Sequence, residues 1–489
     1  MKKVLLVYPG FIVREVPLNL LYISAVLRQI GYDTKVFELT KYLRKNGIVN
    51  PLKRILKDFS EFLDYYQPDI VGFSVMTVGY NLTKEMAYVV KNKGIKVIFG
   101  GIHPTIMPEQ TIAENFVDFI CVGEGEIACV NFLSKYFGGE DYTHVKGVWT
   151  KDENGEIYRN DIEQLVADLD SIPFPDRDAL DSRYYNAELT GANVFTSRGC
   201  PYPCSFCQNK FLMNLYKDKG SLIRYRSTEN IFSELEVIVS KYGTKQFYFS
   251  DEIFTLNKKR VLDFLDNYIS RFVNIPFMCQ TRVDCVDDEI MGALKEAGCH
   301  QINIAIESGN EYVRNKILNK RISDEQIRSA FSLARKYNIK TQSFNMIGIP
   351  GETKDSIFET ISINKELRPD RVLCTIFMPF NGTELGDECI EKGVVTADIR
   401  DSSIYYSQAT IKHENLSSRQ LIGYQGFFDW YVALPRRLYF LISFFRMIYQ
   451  FLVPPMPFKN PLLNYFREAT IEFAYQSKRF ISARAINNR

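Results

Sequence analysis

Several things are scarce in this sequence, and each scarcity removes a class of explanation. Charge of one sign is not in excess: 60 Lys and Arg face 58 Asp and Glu, a net of +2, so no global field argues for a nucleic acid or a polyacidic partner. Long apolar runs are absent. A spanning helix needs ~20 largely uncharged residues, and the best candidate, Leu438–Val453, is shorter and carries Arg446 inside it. Internal repeats and low-complexity tracts are absent too, which sets aside solenoids and long linkers. Ten cysteines are present, but outside one run they follow no paired spacing, so a secreted disulfide framework is not expected. Lys2 and Lys3 precede only a short apolar stretch, Val4–Tyr8, which reads as a buried first strand rather than a signal sequence. Reduced thiols in the cytoplasm are the expectation.

What is present is concentrated in Ser197-Arg-Gly-Cys-Pro-Tyr-Pro-Cys-Ser-Phe-Cys207. Cys200, Cys204 and Cys207 make a CxxxCxxC run, and three thiolates at this spacing can wrap one corner of an iron–sulfur cube. A four-iron cluster normally takes four cysteines, so three leave one iron open to a small chelating molecule. Val194–Ser197 reads as a short strand, placing the run on a loop at a strand's carboxyl end, where α/β barrels keep their chemistry. The competing reading is a structural zinc site. That would need a fourth ligand, and no second Cys/His pair follows at finger-like spacing. Cys121, Cys129, Cys279, Cys285, Cys299, Cys374 and Cys389 form no further cluster motif.

The length of 489 residues calls for two or three domains. In the N-terminal third, apolar runs at Val4–Tyr8, Thr34–Phe37, Ile70–Val75, Val97–Phe99 and Phe116–Val122 predict strands. Amphipathic stretches at Pro17–Ile30, Leu52–Tyr66, Leu82–Lys93 and Glu126–Tyr136 predict the helices between them. This alternation implies a doubly wound parallel sheet, which binds ligands outside its strand carboxyl ends. Three small-residue loops lie there: Ser74–Thr77, Gly100–Thr105 and Gly123–Glu126. Glycines let a ligand approach the backbone, and hydroxyls and free amides can hold a phosphate or amide tail. The candidates are Ser74, Thr77, Gly100, Gly101, His103, Thr105, Gly123 and Glu124. A hairpin over Val145–Tyr158 and an extended, proline-bearing Leu169–Arg177 connect this domain to the next.

From residue 192 the alternation restarts, with strands predicted at Val194–Ser197, Gln246–Ser250, Pro276–Gln280, Gln301–Ile306, Lys340–Met346 and Arg371–Phe377. Six units are too few for a closed eight-stranded barrel, so an open, partial (β/α)6 barrel is expected. Polar groups collect at the strand ends: Asp251 and Glu252, Arg282, Glu307 and Ser308, and the Gly348-Ile-Pro-Gly-Glu352 turn. Arg224 and Arg226 have two readings, a carboxylate or phosphate partner or an exposed helix entry. The expected division is residues 1–140, a connector at 141–188, the barrel at 189–390, and a mainly helical region at 391–489.

With these parts in this order, roughly residues 1–390 resemble the radical S-adenosylmethionine (SAM) enzymes that carry an N-terminal cobalamin-binding domain. The resemblance rests on the cysteine run, on Pro17–Leu27, and on the Gly-Gly-x-His-Pro-Thr and Val-Gly-Glu-Gly-Glu loops. It implies a [4Fe-4S] cluster held by Cys200, Cys204 and Cys207, with SAM on the open iron and cobalamin on the N-terminal domain. It implies SAM ribose contacts at Glu307 and Ser308, an acidic pair near the methionine moiety at Asp251 and Glu252, and an adenine-side loop at Gly348. Arg282 joins this cofactor-binding set. One departure is the loop Tyr8–Arg14, which has no histidine where many cobalamin domains ligate cobalt from below. His103 is left with two roles, contact with the nucleotide tail or packing within its loop.

The resemblance further implies a methyltransferase acting on an unactivated carbon through a 5′-deoxyadenosyl radical and methylcobalamin, with strand-end loops of both domains facing one cavity. A cyclisation or rearrangement with the same cofactors is the alternative, and a noncatalytic carrier has no need of the acidic strand ends. Methylthio transfer to RNA would call for extra cluster cysteines in the N-terminal domain. The implied partners are a small-molecule substrate and an external donor of flavodoxin or ferredoxin type. After residue 390 aromatics crowd in, and from residue 431 nine Lys and Arg stand against two Glu. Such a stretch either caps the barrel mouth or lies in a membrane interface, and it tilts the expected substrate towards something apolar or lipid-like.

Overall fold

Strand β1 (Lys3–Tyr8) is buried along almost its whole length, as a strand covered by helices on both faces must be. It pairs in parallel with β2 (Asp33–Glu38) and β3 (Ile70–Ser74), and β3 continues in parallel to β4 (Lys96–Gly100) and then β5 (Phe119–Cys121). The crossovers are α1 (Leu18–Gln29), α2 (Leu52–Tyr66), α3 (Tyr80–Lys91) and, between β4 and β5, two short helices at Ile102–Ile106 and Pro108–Ala113. Helix α4 (Gly125–Gly138) follows β5. The resulting order β2-β1-β3-β4-β5 is that of a doubly wound sheet whose direction reverses between β1 and β3. The expected hairpin is there as β6 (Val148–Lys151) and β7 (Ile157–Tyr158), and it extends this sheet antiparallel from β5.

This is a computed structural model, and it describes residues 1–9, 16–39, 44–45, 48–49, 52–152, 154–180, 192–400 and 408–442. The histidine-free loop Tyr8–Arg14 and the basic stretch Leu438–Val453 lie mostly outside those residues. By internal contacts the chain divides into two compact units. One comprises Met1–Pro201, Phe211–Asp251 and Arg400–Ser402; the other comprises Tyr202–Lys210, Glu252–Ile399 and Ser403–Arg489. Among the described residues no helix is long and apolar enough to cross a membrane.

The first unit also contains the parallel pair β8 (Ala192–Val194) and β9 (Phe247–Phe249). Helix α5 (Thr228–Tyr242) is started by Ser227, whose side chain accepts from the backbone N–H of Asn230. The second unit contains β10 (Phe277–Thr281), β11 (Cys299–Glu307), β12 (Lys340–Ile347) and β13 (Arg371–Ile376), each parallel to the next. The helices that intervene include α6 (Lys258–Phe272), α7 (Asp288–Glu296), α8 (Asp324–Lys336) and α9 (Lys354–Leu367). Two parallel strands in the first unit and four in the second supply the six strands of the partial barrel expected from the sequence.

Two local differences have physical causes. The strand expected over Val194–Ser197 ends at Val194, because the backbone N–H and hydroxyl of Thr196 turn to Asp251. Ser197 and Arg198 then pair antiparallel with Arg224 and Tyr225. The connector at Leu169–Arg177 is not uniformly extended: Asp168 accepts from the Asp170 N–H and closes a 3-10 turn over Leu169–Ser171.

After β13 come α10 (Glu384–Glu391), α11 (Ser418–Gly426) and α12 (Phe428–Ala433). The buried side chains of α11 and α12, among them Leu421, Tyr424, Phe428 and Tyr431, join Ile347, Ile357, Ile361 and Ile376 in one apolar cluster. The aromatics that crowd this part of the sequence therefore cover the edge strand β13 and helix α9. An uncovered edge would leave unpaired backbone groups and apolar surface facing water.

Candidate active site

The three small-residue loops of the N-terminal sheet are knitted together. Ser74, at the end of β3, accepts from Asn19 Nδ2 at 2.7 Å. Thr77 Oγ1 meets His103 Nδ1 at 3.1 Å, and Tyr80 lies 4.4 Å from the His103 ring centroid. Burial, assisted by the positive charge of Arg400, pushes the His103 pKa down to about 4, so the ring is neutral. The Thr105 hydroxyl donates to Gly101 O at 2.8 Å and accepts from Gly123 N at 3.0 Å, tying the second loop to the third. Gly101 has φ +97°, and a Cβ there would sit 3.0 Å from the backbone of Val75. The glycine is needed for this close approach, which Gly100 shares by accepting from Val75 N at 2.7 Å.

Glu124 is occupied differently from what its sequence position suggests. Its carboxylate takes both terminal nitrogens of Arg224, at 2.9 and 2.6 Å, and also faces Arg198 at 3.3 Å. These guanidinium groups hold it below the usual carboxylate range against the opposing effect of burial, the largest single influence. The exposed helix-entry reading of Arg224 and Arg226 is corrected: both are buried. Arg226 pairs with Glu234 at 2.5 Å, and Arg177 meets the same carboxylate at 2.6 Å.

None of Cys200, Cys204 and Cys207 is in a disulfide; Cys204 is buried and the other two are half-buried. Burial pushes the Cys204 thiol up, with Lys320 and Arg282 acting against it. Cys207 is likewise raised by burial, and the backbone N–H of Asn209 opposes the shift. Among the described residues no three His, Cys, Asp or Glu side chains gather to hold a single metal ion. By donor chemistry, three thiols supplied from one loop suit a four-iron cluster with one open corner.

Lys320 is nearly buried and pairs with Glu307 at 3.0 Å. Glu307 ends β11 with φ +66°, next to a register shift between Ala305 and Glu307. Ser308 is fully buried, with its hydroxyl near Thr360 Oγ1 at 3.4 Å and accepting from Asn310 N at 3.3 Å. Asp251 is also fully buried, and its Oδ1 accepts from Thr196 N, Thr196 Oγ1 and Ser197 Oγ, organising the turn before the cysteines. Glu252 is exposed. Arg282 lies over the ring of Tyr202 and pairs with Asp284 at 2.7 Å. Gly348, at φ +75°, donates its N–H to Glu352 at 2.6 Å.

From the sequence, Tyr202 and Glu352 enter only as members of the cysteine run and of the Gly348 turn, with no role assigned to them, and Lys320 and His413, which stand at no motif spacing, are missed. Lys320 lies between Asn319 and Arg321, both at positive φ. That backbone carries it to Glu307, and no periodic pattern signals it.

The chain matches the radical SAM superfamily over residues 194–362 and the B12 binding domain over residues 11–133. An uncharacterised methyltransferase of Pyrococcus horikoshii is 30% identical over 78% of this chain and 79% of its own length. An anaerobic magnesium-protoporphyrin IX monomethyl ester cyclase of Cereibacter sphaeroides is 28% identical over 75% of this chain and 59% of its own. In fold, the chain is similar to the radical SAM methyltransferase TsrM of Kitasatospora setae, with a TM-score of 0.63 at 20% identity over 81% of this chain and 80% of that one. It is also similar to the cobalamin-dependent radical SAM enzyme OxsB in its apo form, with a TM-score of 0.66 at 19% identity over 92% of this chain and 72% of that one. Radical SAM enzymes use a [4Fe-4S] cluster and SAM, and they need a reductant and a small-molecule substrate; the B12 domain takes cobalamin. The chain is an enzyme of the radical SAM superfamily and belongs to its cobalamin-binding branch.

Proposed function

We propose that the protein is a cobalamin-dependent radical SAM methyltransferase acting on an unactivated carbon of an apolar small molecule. The observation that carries this reading is the presence in one chain of a CxxxCxxC loop with no disulfide and a glycine-lined doubly wound sheet. Methyltransferases among the relatives support it. When bound, the cluster and SAM supply a carbon-centred radical and cobalamin supplies the methyl group. The chain's residues bind and orient. Cys200, Cys204 and Cys207 take three irons, and Glu307, steered by Lys320, takes SAM together with Glu252. The loop at Gly348 walls the adenine, while Ser308, Asp251 and Arg282 hold the surrounding backbone.

In the N-terminal domain the loops carrying Ser74, Thr77, Gly100 and Gly101 receive cobalamin, with His103, Thr105, Gly123 and Glu124 behind them. The division of labour follows residues 1–140 and 189–390. The neutral His103 serves the nucleotide tail. A flavodoxin- or ferredoxin-type donor reduces the cluster in the cytoplasm. The basic, aromatic stretch 438–453 touches an anionic membrane surface, and co-sedimentation with anionic liposomes tests this: equal recovery without liposomes refutes it.

The relatives named as cyclases favour a second reading, an oxidative cyclisation with the same cofactors. One experiment separates the two. Reduced, reconstituted protein is incubated anaerobically with SAM, cobalamin and candidate apolar substrates, and mass spectrometry quantifies 5′-deoxyadenosine and S-adenosylhomocysteine. Cobalamin-dependent S-adenosylhomocysteine alongside deoxyadenosine supports methyl transfer. Substrate turnover with deoxyadenosine alone supports cyclisation.

A further inference from the structure

The loop after β12 is gripped from two sides, and one grip comes from far along the chain. Inside, Glu352 Oε2 accepts from the N–H groups of Gly348 and Ile349 at 2.6 and 3.3 Å. Outside, His413 Nε2 lies 2.8 Å from Gly348 O. A carbonyl only accepts, so Nε2 carries the proton and donates. Burial lowers the pKa of His413, which keeps the ring neutral with that single N–H in place. The fit around Gly348 is tight. A Cβ added there would lie 3.2 Å from Ile376 Cγ2, 3.3 Å from Leu421 Cδ1 and 3.6 Å from His413 Nε2.

His413 is itself held by a short ladder. Thr410 Oγ1 donates to Phe377 O at 3.0 Å. Lys412 N donates to Val394 O at 2.7 Å, and Thr396 N to Thr410 O at 2.8 Å. The residues before His413 are thus fixed both to the end of β13 and to the segment that follows α10. The loop borders open space: Pro350, Gly351 and His413 share the wall of a cavity of about 630 Å³ with Ser205 of the cysteine run. A loop bordering such a space can relax into it if its carbonyl is released.

We infer that His413 is a positioning residue for SAM, acting through the Gly348 carbonyl to fix the wall against which the adenine is bound. This rests on the reading of the Gly348 loop as the adenine-side loop. Fixing one carbonyl by a neutral donor changes affinity by about three- to tenfold, the range of a single net hydrogen bond.

The test uses the anaerobically reconstituted holoprotein. Dissociation constants are measured for SAM and for methionine, which lacks the adenine, in the wild type and in His413→Ala, His413→Gln and His413→Asn. Iron content and the spectrum of the reduced cluster are followed in parallel. The expected result is a three- to tenfold weaker SAM complex in His413→Ala, with methionine binding and iron content unchanged. His413→Gln should recover affinity, because its amide nitrogen reaches where Nε2 stands, and His413→Asn should not. Wild-type protein that binds SAM no more tightly than methionine would overturn the adenine-loop reading. Tighter SAM binding in the wild type with an unchanged His413→Ala would overturn the positioning role alone. Parallel weakening of SAM and methionine, or loss of iron, would also overturn it, as a general structural effect.

Discussion

The guanidinium carbon of Arg282 sits 3.8 Å from the ring centroid of Tyr202, the residue midway between Cys200 and Cys204. The same guanidinium donates to Lys320 O. Arg282 therefore ties the cysteine loop to the backbone that presents Lys320 to Glu307. An electrostatic attraction between a cation and an aromatic face contributes about 0.5–2 kcal/mol, more when water is excluded. Arg282→Met should lower the iron retained per chain after anaerobic reconstitution. Arg282→Lys should not restore it, since an ammonium lacks the planar fork that both stacks and donates. Full iron retention in Arg282→Met would contradict this role.

Gly199, immediately before the first cysteine, has φ +94°, and a Cβ would fall 2.2 Å from Leu222 O. That distance is far inside van der Waals contact and the opposing atom is backbone, so one of the two segments must move. Gly199→Ala is expected to cost at least about 1–3 kcal/mol and to lower iron loading, read from the unfolding midpoint and iron analysis. An unchanged midpoint would show that the turn is looser than its geometry indicates.

Glu234 is buried between Arg177 and Arg226. Removing its charge leaves two guanidinium groups without their counter-ion in a place water does not reach. Breaking a buried pair in this way typically costs about 3–5 kcal/mol. Glu234→Gln should therefore show a clearly lowered Tm, whereas Lys336→Gln, which breaks the exposed pair with Asp288, should leave it nearly unchanged. Similar shifts in the two variants would contradict the burial argument.

Burial raises the Glu352 carboxyl to about 8, only partly opposed by the N–H groups of Gly348 and Ile349. In the unfolded chain the same group ionises near its ordinary value of about 4.3. Between those values the folded state holds a proton that the unfolded state has lost. Stability from this group is thus complete at low pH and falls as pH rises towards 8, by up to about 1.4 kcal/mol per unit. Glu352→Gln cannot ionise, so its stability relative to the wild type should climb between pH 5 and pH 8. Urea unfolding at several pH values checks this; a constant difference would refute it.

Fold and chemistry were legible in the sequence to different depths. The strands and helices of both sheets follow from apolar periodicity, because a buried strand and an amphipathic helix each impose a repeat that composition cannot hide. The cysteine run was legible because one loop supplies all three thiols, so their spacing is local. The partners of the other site residues were not legible. Asp251 meets Thr196, Glu124 meets Arg224, and Arg282 meets Tyr202 across separations of 55, 100 and, by residue number, 80 positions.

By itself, then, the sequence determined the order of two parallel sheets and the loop that carries the thiols. Only the tertiary structure decided which polar side chains face one another. It turned Arg224 and Arg226 from candidate ligand contacts into buried ion-pair partners. It brought His413 to the Gly348 carbonyl and spent the aromatic helices on the edge strand β13. The physical reason is that periodicity reports which face of an element is dry, while hydrogen bonds and ion pairs depend on distances between elements, and those are set only once the elements have packed.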